Sequence, residues 1–338
     1  MTIVTELATT IAKLATPGKG ILAADESTPT ITKRFEAVGI TSSEDTRRAY
    51  RENLMTTPSF SQFIAGVILF EETLNQKTSQ GVAFPEFLKK MGVLPGIKVD
   101  KGLIALPNTN NEQITQGLDG LAERLAEYKT KGAAFAKWRS VYAISANTPS
   151  ELAIRANADV LARYAAICQT LGIVPIVEPE VLIDGDHTIA RCEEVSEPVL
   201  QAVFEALYRH KVKLEYIVLK PSMVINGKAC TQKASVKEVA EATVRVLKRT
   251  VPSAVPTINF LSGGQSAEDS TAHLNAMNEL LPMAPWNLSY SYGRALQQPS
   301  LNAWAGNSKN KAEAQRLLTK RSRLNSAAAL GEYNESME

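Results

Sequence analysis

Several short apolar runs end on ionisable side chains of a kind that can carry covalent chemistry. "EYIVLKP" (215–221) reads as a buried strand that delivers Lys220 and then stops at Pro221, which cannot donate to a ladder. An ammonium there either snorkels to solvent or sits in an apolar pocket where its neutral amine becomes a nucleophile. Strand side chains alternate, so Lys137 and Arg139 of "AAFAKWR" share a face, as do Glu178 and Glu180 of "IVPIVEPE" and Lys98 and Asp100 of "GIKVD", while "GILAAD" ends on Asp25. A neutral lysine adds to a ketone to give a carbinolamine, and loss of water gives an iminium ion, an electron sink for C–C cleavage. Dehydration needs an acid and scission needs a base. Glu178 and Asp25 are placed to divide those tasks, with Glu180 beside them as a further catalytic candidate, and the charge of Lys137 would help keep Lys220 neutral. Taken singly, each group has a plain explanation as a solvated rim residue or half of an ion pair. Convergence of so many at one mouth is costly unless a ligand uses them.

Two glycine loops speak to the substrate. "LSGGQSAED" (261–269) brings Ser262 and Gly263 to the start of a helix with a Ser266-to-Asp269 capping pattern, leaving backbone N–H groups for an anion. "SYGRAL" (291–296) repeats the theme with Ser291, Gly293 and Arg294. A second anion site is suggested by Ser27, Thr30, Lys33, Arg34, Lys98 and Arg139, so the substrate is expected to be a bisphosphate. Tight turns and helix caps are the alternative reading of the glycines. "LSGGQ" also matches the signature loop of ABC-type ATPases, but no GxxxxGK[ST] accompanies it. His187, His210 and His273 lack ligand spacing, so a metal-dependent version of the cleavage has no ligand set.

These side chains have to be held by a regular frame. Eight runs, at 20–25, 63–70, 96–100, 133–139, 173–180, 215–221, 257–264 and 287–293, alternate with helical stretches such as 42–57, 111–132, 151–172 and 235–250. Strand–helix alternation without a linker predicts a single-domain α/β fold, a (β/α)8 TIM barrel spanning 1–338, over a doubly wound sheet. An N-terminal helix precedes it, and residues 306–338 read as a C-terminal helix with a polar tail expected to be mobile. The 37 Lys and Arg against 35 Asp and Glu give a balance that argues against a nucleic-acid partner. Three cysteines with no CxxC suit a reducing cytoplasm, no run approaches a membrane span, and the N-terminal stretch lacks the form of a signal peptide.

"GKGILAADEST", "GVILFEETL", "PGIKVDKG", "TQGLDGLAER", "FAKWR", "GIVPIVEPE", "LKPSMV", "FLSGGQS" and "SYGRAL", in order over nearly the whole chain, resemble the motifs of class I fructose-1,6-bisphosphate aldolases. The resemblance implies a cytoplasmic, homotetrameric barrel, with no metal or cofactor, that reversibly cleaves fructose 1,6-bisphosphate into two triose phosphates. It carries the Schiff-base lysine onto Lys220, the acid/base onto Glu178, and assisting roles onto Asp25 and Lys137. One phosphate then maps onto Ser262, Gly263, Gly293 and Arg294 with Ser291 nearby, and the other onto Ser27, Thr30, Arg34, Lys98 and Arg139. Thr30 stands where the family more usually has Ser. Many relatives end in a tyrosine that enters the site, whereas this chain ends in "NESME", with Tyr333 its last aromatic. A Schiff-base aldolase for sedoheptulose 1,7-bisphosphate or fructose 1-phosphate, and a scaffold for acidic partners, are the competing readings.

Overall fold

The computed structural model describes residues 2–338. Eight parallel strands close into a barrel: β1 (Gly20–Ala24), β2 (Ile64–Leu69), β3 (Leu94–Lys98), β6 (Phe135–Tyr142), β7 (Val174–Val181), β8 (Val218–Leu219), β9 (Thr257–Phe260) and β10 (Asn287–Tyr292). The remaining two, β4 (Leu103–Ala105) and β5 (Gln113–Thr115), form an antiparallel hairpin outside it. Closure joins the two ends of the chain, with Ile21 of β1 in register with Ser291 of β10 and Gly66 of β2 on the other side.

Local chemistry sets the element boundaries. Ser43 and Ser235 each form a capping box with Thr46 and Glu238 at the head of a helix. Ser266 accepts from the Asp269 N–H at 2.9 Å, as its pattern predicts. Two expectations need correction. The stretch 111–132 is not one helix: its start pairs as β5, Gly117 and Gly120 take φ of +122° and +63°, and the helix runs only over Leu121–Thr130. The strand expected over 215–221 is two residues long. Leu214–Tyr216 is a 3₁₀ turn, because the Gln169 side chain satisfies backbone groups of Lys213 and Tyr216 that would otherwise seek a ladder. Lys220 follows directly, with its own N–H donating to Val177 O at 2.8 Å.

The barrel interior is apolar below and charged above. The N-terminal helix Ile3–Leu14 stoppers the bottom with Leu7, Ile11 and Leu14, packed in one cluster with Phe135, Val174, Ile21, Ile68, Ile176 and Val218. Phe135 needs room to lie there, and Gly96, its register partner, supplies it. A Cβ on Gly96 would stand 2.2 Å from the Phe135 ring. Gly96→Ala is therefore expected to destabilise the barrel by about 2 kcal/mol or more through overpacking, read as a lower urea midpoint at unchanged slope. An unchanged midpoint would mean the ring has space to yield.

The tail expected to be mobile is packed instead. Tyr333 is buried and its N–H donates to Asn275 Oδ1 at 2.9 Å, and Glu338 pairs with Arg321 of the helix Lys311–Ala329 at 2.6 Å. No helix among the described residues is long and apolar enough to cross a membrane.

Candidate active site

At the C-terminal ends of the strands lies a cavity of about 570 Å³. Every candidate catalytic and phosphate-binding residue lines it: Asp25, Lys137, Glu178 and Lys220 toward the floor, Ser262, Gly263, Ser291, Gly293 and Arg294 on one wall, and Ser27, Thr30, Lys33, Arg34, Lys98 and Arg139 on another together with Glu180, whereas Asp100 does not line it. The convergence follows from register. Lys98 lies opposite Lys137, Lys137 opposite Ile176, and Arg139 opposite Glu178, so neighbouring strands present their charges at similar heights.

At the floor these charges form one chain of contacts. Lys220 Nζ is 3.2 Å from Glu178 Oε1, the other Glu178 oxygen is 3.4 Å from Lys137 Nζ, and Lys137 Nζ is 2.7 Å from Asp25 Oδ2. Lys220, Lys137 and Glu178 are all buried. Burial alone would push the Asp25 carboxyl up, but the ammoniums of Lys137, Lys220 and Lys98 outweigh it and hold the value at about 2. Burial likewise works to lower Lys137, and the carboxylates of Asp25, Glu178 and Asp100 reverse this and raise it well above the ordinary lysine range. Lys137 was expected to act on Lys220 by repulsion; in the structure Glu178 stands between the two ammoniums and touches both.

The walls differ in character. Gly263 and Gly264 take φ of +55° and +87°, a left-handed pair that a side chain would strain, and they open the loop between Ser262 and the helix Ala267–Leu280. Ser291, on the neighbouring strand β10, is buried with its hydroxyl unpaired and lines the same cavity. On the opposite wall Ser27 and Thr30 hydroxyls lie 3.0 Å apart, Lys33 is exposed at the rim, and Arg139 Nε bonds Glu180 Oε2 at 2.5 Å. Glu180 is thereby the partner of a cation rather than of Lys220. Its pairing raises Arg139 further against the opposing effect of burial.

Three groups behind this wall carried no sequence signal of their own. Glu26 pairs with Arg34 and accepts from the Gln297 amide at 3.0 Å. Gln297, fully buried, also donates to Ala23 O at 2.5 Å, and Arg51 donates to Glu26 O at 2.6 Å. In sequence Arg51 is one of several arginines on an amphipathic helix and Gln297 is an ordinary helical residue; only the tertiary fold brings them to the loop that carries Asp25. Asp100 was visible as a strand-end charge but had no task attached to it.

Known proteins resemble this one over nearly the whole chain. The family model for class-I fructose-bisphosphate aldolase (glycolytic) matches residues 6–338. A "probable fructose-bisphosphate aldolase class 1" of Xanthomonas campestris pv. campestris is 54% identical over 329 residues, covering 97% of this chain and 98% of the relative. The cytoplasmic isozyme of fructose-bisphosphate aldolase from Spinacia oleracea is 56% identical over 328 residues, covering 97% and 92%. The fructose-bisphosphate aldolase of Plasmodium falciparum, solved with TRAP and a small-molecule inhibitor, superposes with a TM-score of 0.96 at 50% identity, over 98% of this chain and 96% of that one. With sequence, barrel and strand-end lysine all pointing the same way, the chain belongs to the class-I fructose-bisphosphate aldolase family.

Proposed function

We propose that the protein cleaves fructose 1,6-bisphosphate reversibly to dihydroxyacetone phosphate and glyceraldehyde 3-phosphate through a Schiff base on Lys220. The observation that carries this is the buried Lys220–Glu178–Lys137–Asp25 chain at the floor of a cavity with an anion grip on each side. Glu178, 3.2 Å from Lys220 Nζ, takes the proton that frees the amine lone pair. The amine adds to the C2 carbonyl, and the carbinolamine hydroxyl leaves as water with a proton returned by Glu178. Asp25, held ionised, accepts the proton of the C4 hydroxyl as the C3–C4 bond breaks, and the bond pair flows into the iminium to give an enamine. Glyceraldehyde 3-phosphate departs, C3 is protonated, and water hydrolyses the iminium to release the second triose. Ser262, Gly263, Ser291, Gly293 and Arg294 hold the C1 phosphate, while Ser27, Thr30, Lys33, Arg34, Lys98 and Arg139 form the distal grip that holds the C6 phosphate, with Glu180 orienting Arg139. The family resemblance supports a homotetramer, and the naming of the spinach relative supports a cytoplasmic protein.

The test is borohydride reduction in the presence of dihydroxyacetone phosphate, followed by peptide mass spectrometry, with and without EDTA. A single reduced adduct on Lys220, unaffected by the chelator, is the expected result. No adduct, together with activity lost to EDTA, would overturn the mechanism.

A further inference from the structure

Asp100 is a buried carboxylate with two claimants. It lies just past β3, where its Oδ1 accepts from Lys98 Nζ at 2.6 Å and from the Gly102 N–H at 3.3 Å. Lys98 Nζ also donates to the Asp100 carbonyl at 2.9 Å. The other carboxylate oxygen, Oδ2, is buried without a hydrogen-bond partner and lies 3.9 Å from Lys137 Nζ. Strand register explains why a carboxylate is needed here. Lys98 and Lys137 are opposed on adjacent strands, and like charges so placed repel. Lys98 belongs to the distal anion grip and Lys137 to the catalytic chain. Among the described residues Asp100 is the carboxylate that lies within 4 Å of both.

We propose that Asp100 is a positioning residue that couples occupancy of the distal anion grip to the readiness of the catalytic chain. This rests on the bisphosphate-cleavage reading above. A phosphate dianion on the distal wall draws the Lys98 ammonium away from Asp100. The released carboxylate then pairs with Lys137, whose unpaired neighbour Oδ2 already is. Lys137 in turn loosens its 2.7 Å contact with Asp25, and Asp25 is free to receive the C4 hydroxyl proton. No covalent bond changes in this exchange; what changes is which carboxylate holds Lys137. A substrate without the distal phosphate leaves Asp100 on Lys98 and Asp25 on Lys137. The distal phosphate therefore contributes to kcat and not only to binding.

The experiment compares kcat and KM on fructose 1,6-bisphosphate and fructose 1-phosphate for the wild-type protein, Asp100→Asn and Lys98→Met. Wild type is expected to show the higher kcat on the bisphosphate, and Asp100→Asn to shrink that kcat ratio by about tenfold. Lys98→Met, which frees Asp100 permanently, is expected to raise kcat on fructose 1-phosphate while raising KM for the bisphosphate. A merely structural Asp100 would lower kcat on both substrates by one factor, and that result overturns the coupling. Should Asp100→Asn fail to fold, Lys98→Met decides alone: an unchanged or lower kcat on fructose 1-phosphate overturns it. A wild-type protein that cleaves neither sugar and forms no Lys220 adduct overturns the parent reading, and this one with it.

Discussion

Replacing Lys220 with methionine is expected to lower kcat for bisphosphate cleavage by roughly 10⁵-fold or more, since the other lysine at the floor, Lys137, is held charged by the carboxylates of Asp25, Glu178 and Asp100 and offers no free amine in its place. The substitution keeps length and apolar bulk, and Glu178 retains Lys137 at 3.4 Å as its counter-charge. The protein should therefore fold, and the two anion grips should still bind the sugar bisphosphate. Near-ultraviolet circular dichroism and calorimetric titration of the variant with substrate check both points. Cleavage within tenfold of wild type would show that the covalent route is wrong.

Lys137→Met is expected to do more damage to the fold than Lys220→Met, although neither residue lies in the apolar core. Lys137 is the ammonium closest to Asp25 and also faces Glu178 and Asp100. Removing it leaves Asp25 with no ion-pair partner in a buried site. Losing one member of such a cluster typically costs about 3–5 kcal/mol. The pH dependence follows from the direction of the Asp25 shift. Its value of about 2, against an ordinary 3.8, contributes stability that is present above pH 3.8 and is lost as pH falls toward 2. At neutral pH that amounts to about 2 kcal/mol. Without Lys137 the carboxyl keeps only the more distant ammoniums of Lys220 and Lys98 against the opposing effect of burial, and its value rises. Protonation then relieves the variant, and its deficit relative to wild type should be smaller at pH 5 than at pH 7. Urea midpoints of the two proteins at both pH values measure this. A deficit that is equal or larger at pH 5 would mean that Asp25 finds another counter-charge. Activity should fall by at least about 10²-fold at either pH, the size of a lost general acid–base contribution.

The barrel was legible because its strands are apolar runs that finish on charge, and because alternation alone places Lys137 with Arg139 and Glu178 with Glu180 on shared faces. The floor of the site was legible for the same reason, since a lysine closing an apolar run has few roles. What was not legible came from tertiary contacts that override local preference. Glu215 and Tyr216 have the composition of a strand, yet Gln169, reaching from the helix Glu151–Thr170, takes backbone groups of Lys213 and Tyr216 and turns the chain. The hairpin of β4 and β5 hides in a stretch whose later half is truly helical, and only the left-handed Gly117 and Gly120 divide the two. Arg51 and Gln297 look like surface residues of amphipathic helices, and they became part of the site because the loop after β1 folds onto them. The polar tail read as mobile because its composition is polar; Tyr333 and the Glu338–Arg321 pair secure it.

The seam between β1 and β10 also bears on how the molecule comes into being. Lys19 and Ser289 are joined by a hydrogen bond of 2.8 Å across 270 positions of sequence. A ribosome that has made β1 must add nearly the whole chain before its second neighbour exists. Until then β1 presents an open edge, and the helix meant for the base has only part of a ring to plug. Such long-range pairing carries a loop-closure entropy that no local turn repays, so folding should be slow and late, with nascent chains exposed to edge-to-edge association. Once the seam shuts, no strand of the ring has a free side from which to peel, and the finished barrel should open as a single unit rather than strand by strand.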